Sequence, residues 1–336
     1  MAVYPVLDTN KINNILRCYN LGQLQHFEAV ASGIENTNYF LWLKSNDKQV
    51  TQWVLTIFEN LCESSLPFYN NLTIDLSQKG FAVPAPQPMI NGQYVFSING
   101  SDQTQTRKFG VLVPKFEGRS MSAPNEAECQ KIAVFAANMH NALSDFSDTR
   151  NIQHSVAWAE RLVKELSLVI PKSELLFIES ALERYRGFQV YIDQCPSGIV
   201  HGDLFRDNVL FEGEEISGVI DFYNAGKTAL LFDLAVIAND WAVNFECLPS
   251  LFSSNQSDIE NIDLHAIYSQ QKLNAIVAAY DRTFGTARKS RHTNRDQSSD
   301  PTMDRRARPL NCRSWVLYRH GRTIDASCPA YPKHLR

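Results

Sequence analysis

The sequence predicts an α+β fold of two lobes, a β-rich N-terminal lobe followed by an α-rich C-terminal lobe. Residues 1–113 are dominated by short apolar runs bounded by turn residues, the pattern of strands. From Pro124 onward, apolar residues recur at the 3.6-residue spacing of amphipathic helices. The change falls at Pro114–Gly118, where proline and glycine interrupt both patterns, and the hinge between lobes is expected there. At 336 residues the chain exceeds one average domain and suits a two-lobed protein.

In order, Phe27–Ile34 and Asn38–Leu43 read as strands joined by the hairpin-like Gly33-Ile34-Glu35-Asn36-Thr37-Asn38. Gln49–Ile57 is a third strand. A helix is expected over Leu61–Gln78, which Pro67 must either start or kink. Pro84–Pro88 is extended, and Tyr94–Ile98 and Lys108–Val113 are two further strands. Beyond the hinge, Ile132, Phe135, Ala136, Met139 and Leu143 mark a helix opened by Pro124-Asn125-Glu126. Val156–Val169, Glu174–Tyr191, Leu231–Val243 and Asp263–Tyr280 read as further helices, with a short hairpin at 208–212 and 216–221. No internal repeat is visible. The division expected is 1–113, a β-rich nucleotide-binding lobe; 114–284, an α-rich catalytic lobe; and 285–336, a basic tail.

That tail carries ten Arg and two Lys against four Asp and no Glu, a formal +8, which leaves −12 for the preceding residues. It reads either as a nucleic-acid-binding arm or as a solvated, poorly ordered segment, the second being favoured. The net charge of −4 speaks against nucleic acid as the main partner. No apolar stretch reaches the length of a membrane span, and Met1-Ala2-Val3-Tyr4-Pro5 has no signal-peptide pattern. The seven cysteines are scattered without a Cys-x-x-Cys pair, as expected of reduced thiols in a cytoplasmic protein.

The chemistry concentrates in Ile199-Val200-His201-Gly202-Asp203-Leu204-Phe205-Arg206-Asp207-Asn208-Val209-Leu210. An Asp followed five positions later by an Asn is the interval of a protein-kinase catalytic loop. There the Asp orients the attacking hydroxyl and takes its proton, and the Asn turns its amide oxygen to a metal ion. A second apolar run, Gly218-Val219-Ile220-Asp221-Phe222, ends on the Asp that would hold the metal. Either Asp alone could cap a turn. Both, in this order and spacing, predict a protein-kinase-like active site with Asp203 as base and Asn208 and Asp221 as ligands of one or two Mg²⁺ ions, oxygen donors suited to a hard cation.

The remaining assignments lean on position. His201 is expected to hold the loop. Arg206 would either steady a phosphate or a substrate carboxylate, or form a salt bridge that shapes the loop. Gly33, Asn36, Thr37 and Asn38 would cover the phosphates of ATP, and the hinge strand through Val113 and Lys115 would take the adenine. In the third strand, Val54-Leu55-Thr56-Ile57-Phe58-Glu59 has Thr56 where a protein kinase places its phosphate-binding Lys. Asp233 starts a helix and can brace the catalytic loop. Asn239, Asp240 and Trp241, two turns later, either face the acceptor pocket or serve as a surface pair and a core anchor.

Together these strings resemble bacterial homoserine kinases built on the aminoglycoside phosphotransferase and choline kinase fold. The resemblance rests on Gly33 to Phe40, Val54 to Glu59, His201 to Phe211, Gly218 to Tyr223, Phe232 to Ala235 and Asn239-Asp240-Trp241, and covers roughly residues 1–280. The His-Gly-Asp…Asn pattern belongs to the whole superfamily, whereas Thr56 in place of Lys and Asn-Asp-Trp are particular to homoserine kinases. The resemblance implies transfer of the γ-phosphoryl group of ATP to the hydroxyl of L-homoserine, a step toward threonine, with Mg²⁺. Asp240 would bind the ammonium group of the substrate and Arg206 its carboxylate. Another small alcohol or amine, such as an aminoglycoside or choline, is the alternative acceptor; a catalytically impaired nucleotide-binding protein is the alternative class. After Tyr280 the family's closing pattern is not met, as a displaced reading frame would produce. The sequence carries no mark of oligomeric state.

Overall fold

In β2 (Asn36–Lys44) every second residue is buried, with Thr37, Tyr39, Leu41 and Leu43 on the closed face and Asn36, Asn38, Phe40 and Trp42 on the half-open one. That alternation is what a strand covered on one side requires. The computed structural model describes residues 7–30, 36–99, 107–244 and 267–295, with side chains in the last stretch as far as 286. Gly33, Ile34 and Glu35 and residues 296–336 lie outside it.

The chain divides into two compact units, Met1–Gly118 with Phe146–Asp148 and Ser217–Ile220, and Arg119–Asp145 with Thr149–Ile216 and Asp221–Arg336. Within the first, β1 (Gln23–Ala29), β2, β3 (Val50–Phe58), β4 (Phe96–Asn99) and β5 (Arg107–Pro114) form one antiparallel sheet in the order β1-β2-β3-β5-β4. Its closed face meets Ile12, Ile15 and Leu16 of α1 (Thr9–Leu16), a helix the sequence reading missed. The signal was there: Asp8 accepts the Lys11 N–H at 2.8 Å as an N-cap, ahead of apolar residues at helical spacing. α2 (Leu66–Gln78) begins five residues later than expected, because Pro67 occupies its first turn rather than its interior.

The second unit is helical. α3 (Glu126–Ala142) starts at a capping box, in which Asn125 accepts the Glu128 N–H at 3.0 Å and donates its own N–H to Glu128 Oε2 at 2.7 Å. α4 (Val156–Leu166) and α5 (Lys172–Ile192) follow, then β6 (Ser197–Val200), the hairpin β7 (Val209–Glu212) and β8 (Glu215–Val219), β9 (Gly226–Ala229) and α6 (Leu231–Trp241). β9 pairs with β6, with Val200 opposite Gly226, and was not anticipated. α7 (Gln270–Arg295) packs Leu273, Ile276, Val277 and Tyr280 into the core against α3. Its backbone stays helical fifteen residues beyond Tyr280, so a tail boundary at 285 falls inside a helix. The rest of the tail, from 296, lies outside the described residues.

Among the described residues, Cys62 stands apart from the other thiols with a shifted pKa. Cys62 is exposed, and hydrogen bonds from Ser64 and then Ser65 bring its pKa down to about 7, whereas burial pushes Cys129 up to about 12 and also raises Cys195. The Cys62 thiolate is therefore more accessible near neutral pH than that of Cys129 or Cys195. Iodoacetamide at pH 7, followed by peptide mass spectrometry, is expected to label Cys62 at least about tenfold faster than Cys129 or Cys195; equal rates would overturn the assignment.

Candidate active site

The catalytic loop leaves β6 at Val200 and turns sharply at Gly202, whose φ of +83° lies in the region that favours glycine. A side chain there would bring its Cβ within 2.5 Å of the Asn224 carbonyl oxygen. Glycine thus lets the segment carrying Asp203 lie directly against the segment that starts at Asp221. Asp221 itself is left-handed, with φ 65° and ψ 60°, and opens a tight turn over Phe222–Asn224. Asp tolerates this conformation better than most residues, yet it stores strain of the kind found at functional sites. The His201 ring rests on Phe222 with centroids 4.3 Å apart.

Helix α6 grips the loop along its length. Asp233, wholly buried, accepts the Gly202 N–H through Oδ1 and the His201 N–H through Oδ2, each at 2.8 Å. Trp241 Nε1 donates to the Leu204 carbonyl at 2.9 Å. Asp240 Oδ2 accepts both the backbone N–H of Arg206, at 2.8 Å, and its Nε, at 3.0 Å. These bonds fix the loop at residues 201, 202, 204 and 206. Burial alone would raise the Asp233 pKa, but the hydrogen bond and charge of His140, the charge of His201 and the Gly202 N–H together hold it below the ordinary carboxylate value.

Asp203 emerges from this held loop half-buried. Asn208 Nδ2 donates to the Asp203 carbonyl at 2.9 Å and to its Oδ2 at 3.0 Å, with a longer contact of 3.5 Å from Asn224 Nδ2. Because the Asn208 nitrogen faces Asp203, the amide oxygen faces the other way, as a metal ligand must. Asn208 and Asp221 supply an amide and a carboxylate oxygen, a donor set that fits Mg²⁺ completed by phosphate and water oxygens. Among the described residues no group of three or more His, Cys, Asp or Glu could hold a metal by itself.

The other predicted residues fall out unevenly. Trp241 is fully buried and anchors the loop, so it does not line an acceptor pocket; its indole is needed under the loop, and this corrects the substrate assignment. Asn239 is exposed at the last turn of α6. Arg206 forms the loop-shaping salt bridge, with Nη1 also reaching the Ser122 carbonyl. Asn224 carried no motif by which the sequence could reveal it.

In the first unit, Asn36, Thr37 and Asn38 lie in strand β2 and not in the connecting loop, since Asn38 pairs with Thr56 and its carbonyl accepts the Val30 N–H at 2.9 Å. Thr37 Oγ1 donates to Glu59 Oε1 at 2.5 Å, and Lys108 pairs with Oε2 of the same carboxylate. Thr56 Oγ1 donates to Asn38 Oδ1 at 2.8 Å. By strand register Asn38, Phe40, Val54, Thr56, Val111 and Val113 share one face of the sheet. Lys115 places its ammonium 5.6 Å from the Phe40 ring centroid, and its backbone N–H donates to the Gln52 carbonyl at 3.2 Å.

A carboxylate on a braced loop, an Asn whose amide nitrogen bonds it and an αL Asp in the facing turn make up the candidate site. Residues 26–251 match the phosphotransferase enzyme family. The chain belongs to that family. This phosphotransferase is 33% identical over 251 residues to the homoserine kinase of Cupriavidus necator, covering 73% of both chains. To the homoserine kinase of Cupriavidus pinatubonensis it is 31% identical over 292 residues, covering 84% of this chain and 83% of the other. Among solved structures its fold resembles a microcompartment-associated aminopropanol kinase (TM-score 0.58, 15% identity, 82% of this chain and 81% of that one). It also resembles an amicoumacin kinase in complex with AMP-PNP and Ca²⁺ (TM-score 0.57, 17% identity, 84% and 78%). The phosphotransferase is thus an ATP-dependent small-molecule kinase of protein-kinase-like α+β fold.

Proposed function

We propose that the protein phosphorylates the hydroxyl of L-homoserine with ATP, a cytoplasmic step toward threonine. The observation that carries this reading is the Arg206–Asp240 pair, three residues beyond the base and tied to the same loop. Homoserine is a small zwitterion bearing a primary alcohol. Asp240 engages Arg206 through Oδ2, and its Oδ1 is the acceptor for the substrate ammonium group. The Arg206 guanidinium, held in place by Asp240 and the Ser122 carbonyl, presents its planar fork to the carboxylate. Asp203 orients the hydroxyl and takes its proton late in transfer, since an alcohol of high pKa does not ionise beforehand.

ATP is the donor. Its adenine is assigned to the strand Val111–Lys115 and its phosphates to Gly33, the Asn36 and Asn38 side chains and the backbone of Thr37, whose own side chain is turned to the closed face and donates to Glu59. With Thr56 in place of a lysine, that face offers neutral donors to the phosphates, and counter-charge falls to Mg²⁺ on Asn208 and Asp221. Mg²⁺, when bound, offsets the charge on the phosphate oxygens.

Choline, the runner-up, calls for an aromatic cage, and the one aromatic residue of the Asn-Asp-Trp string is buried under the loop. The test is an ADP-release assay with L-homoserine, choline and an aminoglycoside. L-homoserine is expected to give the highest kcat/KM. A higher value with either of the others would replace the assignment.

A further inference from the structure

Asp233 is itself held by a buried chain of groups that reaches the last helix described. His140 of α3 places Nε2 3.0 Å from Asp233 Oδ2, and its Nδ1 lies 2.8 Å from the Tyr280 hydroxyl of α7. All three residues are almost fully buried, at 0% exposure for Asp233, 4% for His140 and 3% for Tyr280. Tyr280 is fixed in turn, edge-on to His140 and stacked on Phe284 with centroids 5.4 Å apart.

We infer that Tyr280 and His140 are positioning residues for the catalytic base, setting the Asp233 carboxylate that holds the loop carrying Asp203. The physical reason lies in how the carboxylate is oriented. Two N–H donors from one loop define where its oxygens point, but both move with the loop they are meant to hold. His140 is the donor that comes from outside, on a rigid helix. A carboxylate accepts from an imidazole N–H, so Nε2 carries a proton toward Asp233, while the Tyr280 hydroxyl pairs with Nδ1 and fixes the ring plane. Loss of the hydroxyl leaves Nδ1 buried without its partner and lets the ring turn. The loop would then sample positions in which Asp203 is out of line, and proximity effects make catalysis steep in such displacements. Helix α7 is on this reading part of the catalytic apparatus, although it supplies no group to the substrate.

The inference rests on Asp203 being the base but not on the identity of the acceptor, so it is measured with whichever acceptor the wild type turns over. Tyr280→Phe keeps the ring and its packing and removes only the hydroxyl. It is expected to lower kcat by about tenfold, the worth of one buried hydrogen bond, with both KM values within about twofold. Hydrogen exchange at the His201 and Gly202 amides should quicken. His140→Leu should lose more than His140→Gln, whose amide retains an N–H for Asp233. In an Asp203→Asn background, Tyr280→Phe should cause no further loss, because the two act through one group. Unchanged kcat and unchanged amide exchange in Tyr280→Phe, or an equal loss in the Asp203→Asn background, would overturn the inference. If instead Asp203→Asn alone left turnover intact, the assignment of the base would fall and not the relay.

Discussion

Asp203→Asn is expected to lower kcat by about 10²-fold or more while leaving the KM for ATP nearly unchanged. The substitution preserves shape, and the new amide oxygen can still accept the Asn208 Nδ2 hydrogen bond that the carboxylate receives at 3.0 Å. Helix α6 continues to hold the loop through the His201 and Gly202 amides and the Leu204 carbonyl. On the proposed role, what disappears is the group that would take the hydroxyl proton. A factor of 10² corresponds to about 2.7 kcal/mol of transition-state stabilisation, a usual size for general-base catalysis. Steady-state kinetics with an unaltered thermal unfolding midpoint would isolate the chemical effect. Turnover close to wild type would remove Asp203 from the base role.

Asp221→Ala is expected to abolish phosphoryl transfer at any Mg²⁺ concentration. A carboxylate lost from a two-residue protein donor set leaves Asn208 alone, and a higher metal concentration does not rebuild the geometry. Asp221 also sits at φ 65°, where alanine is strained by about 1–2 kcal/mol. Asp221→Asn, which tolerates that conformation far better, therefore serves as the control: it should fold like the wild type and still be severely impaired. Activity recovered by millimolar Mg²⁺ in either variant would contradict the ligand role.

The sequence made the centre of this protein legible because its chemistry is local. Asp203 and Asn208 stand five positions apart in one loop, and the turn between His201 and Asp203 can only be glycine, so both motif and spacing are read along the chain. Strand β2 was equally plain, since alternation of apolar residues reports a face covered on one side, while β3 and β5 showed as continuous apolar runs that become buried on both faces. Boundaries shifted where a neighbour decided them. Asn36 to Asn38 looked like loop residues by composition, but pairing with β3 draws them into a strand. The helix after α6 outlasted its apolar period, because a helical backbone does not stop where burial stops.

By itself the sequence determined the α+β fold and the absence of a lysine in β3, and it singled out Asp203 as the candidate base and Asn208 and Asp221 as the candidate metal ligands. Each depends on residue type at a fixed short spacing. Only the tertiary structure decided what those residues are held by. Trp241, read from sequence as equally suited to a pocket or a core, is an anchor because the Leu204 carbonyl needs its N–H. Arg206 and Asp240, 34 positions apart, form one ion pair. His140, Asp233 and Tyr280 come from three helices and meet over a span of 140 residues. A buried polar group must find its partner wherever folding brings one, and sequence separation carries no information about that choice.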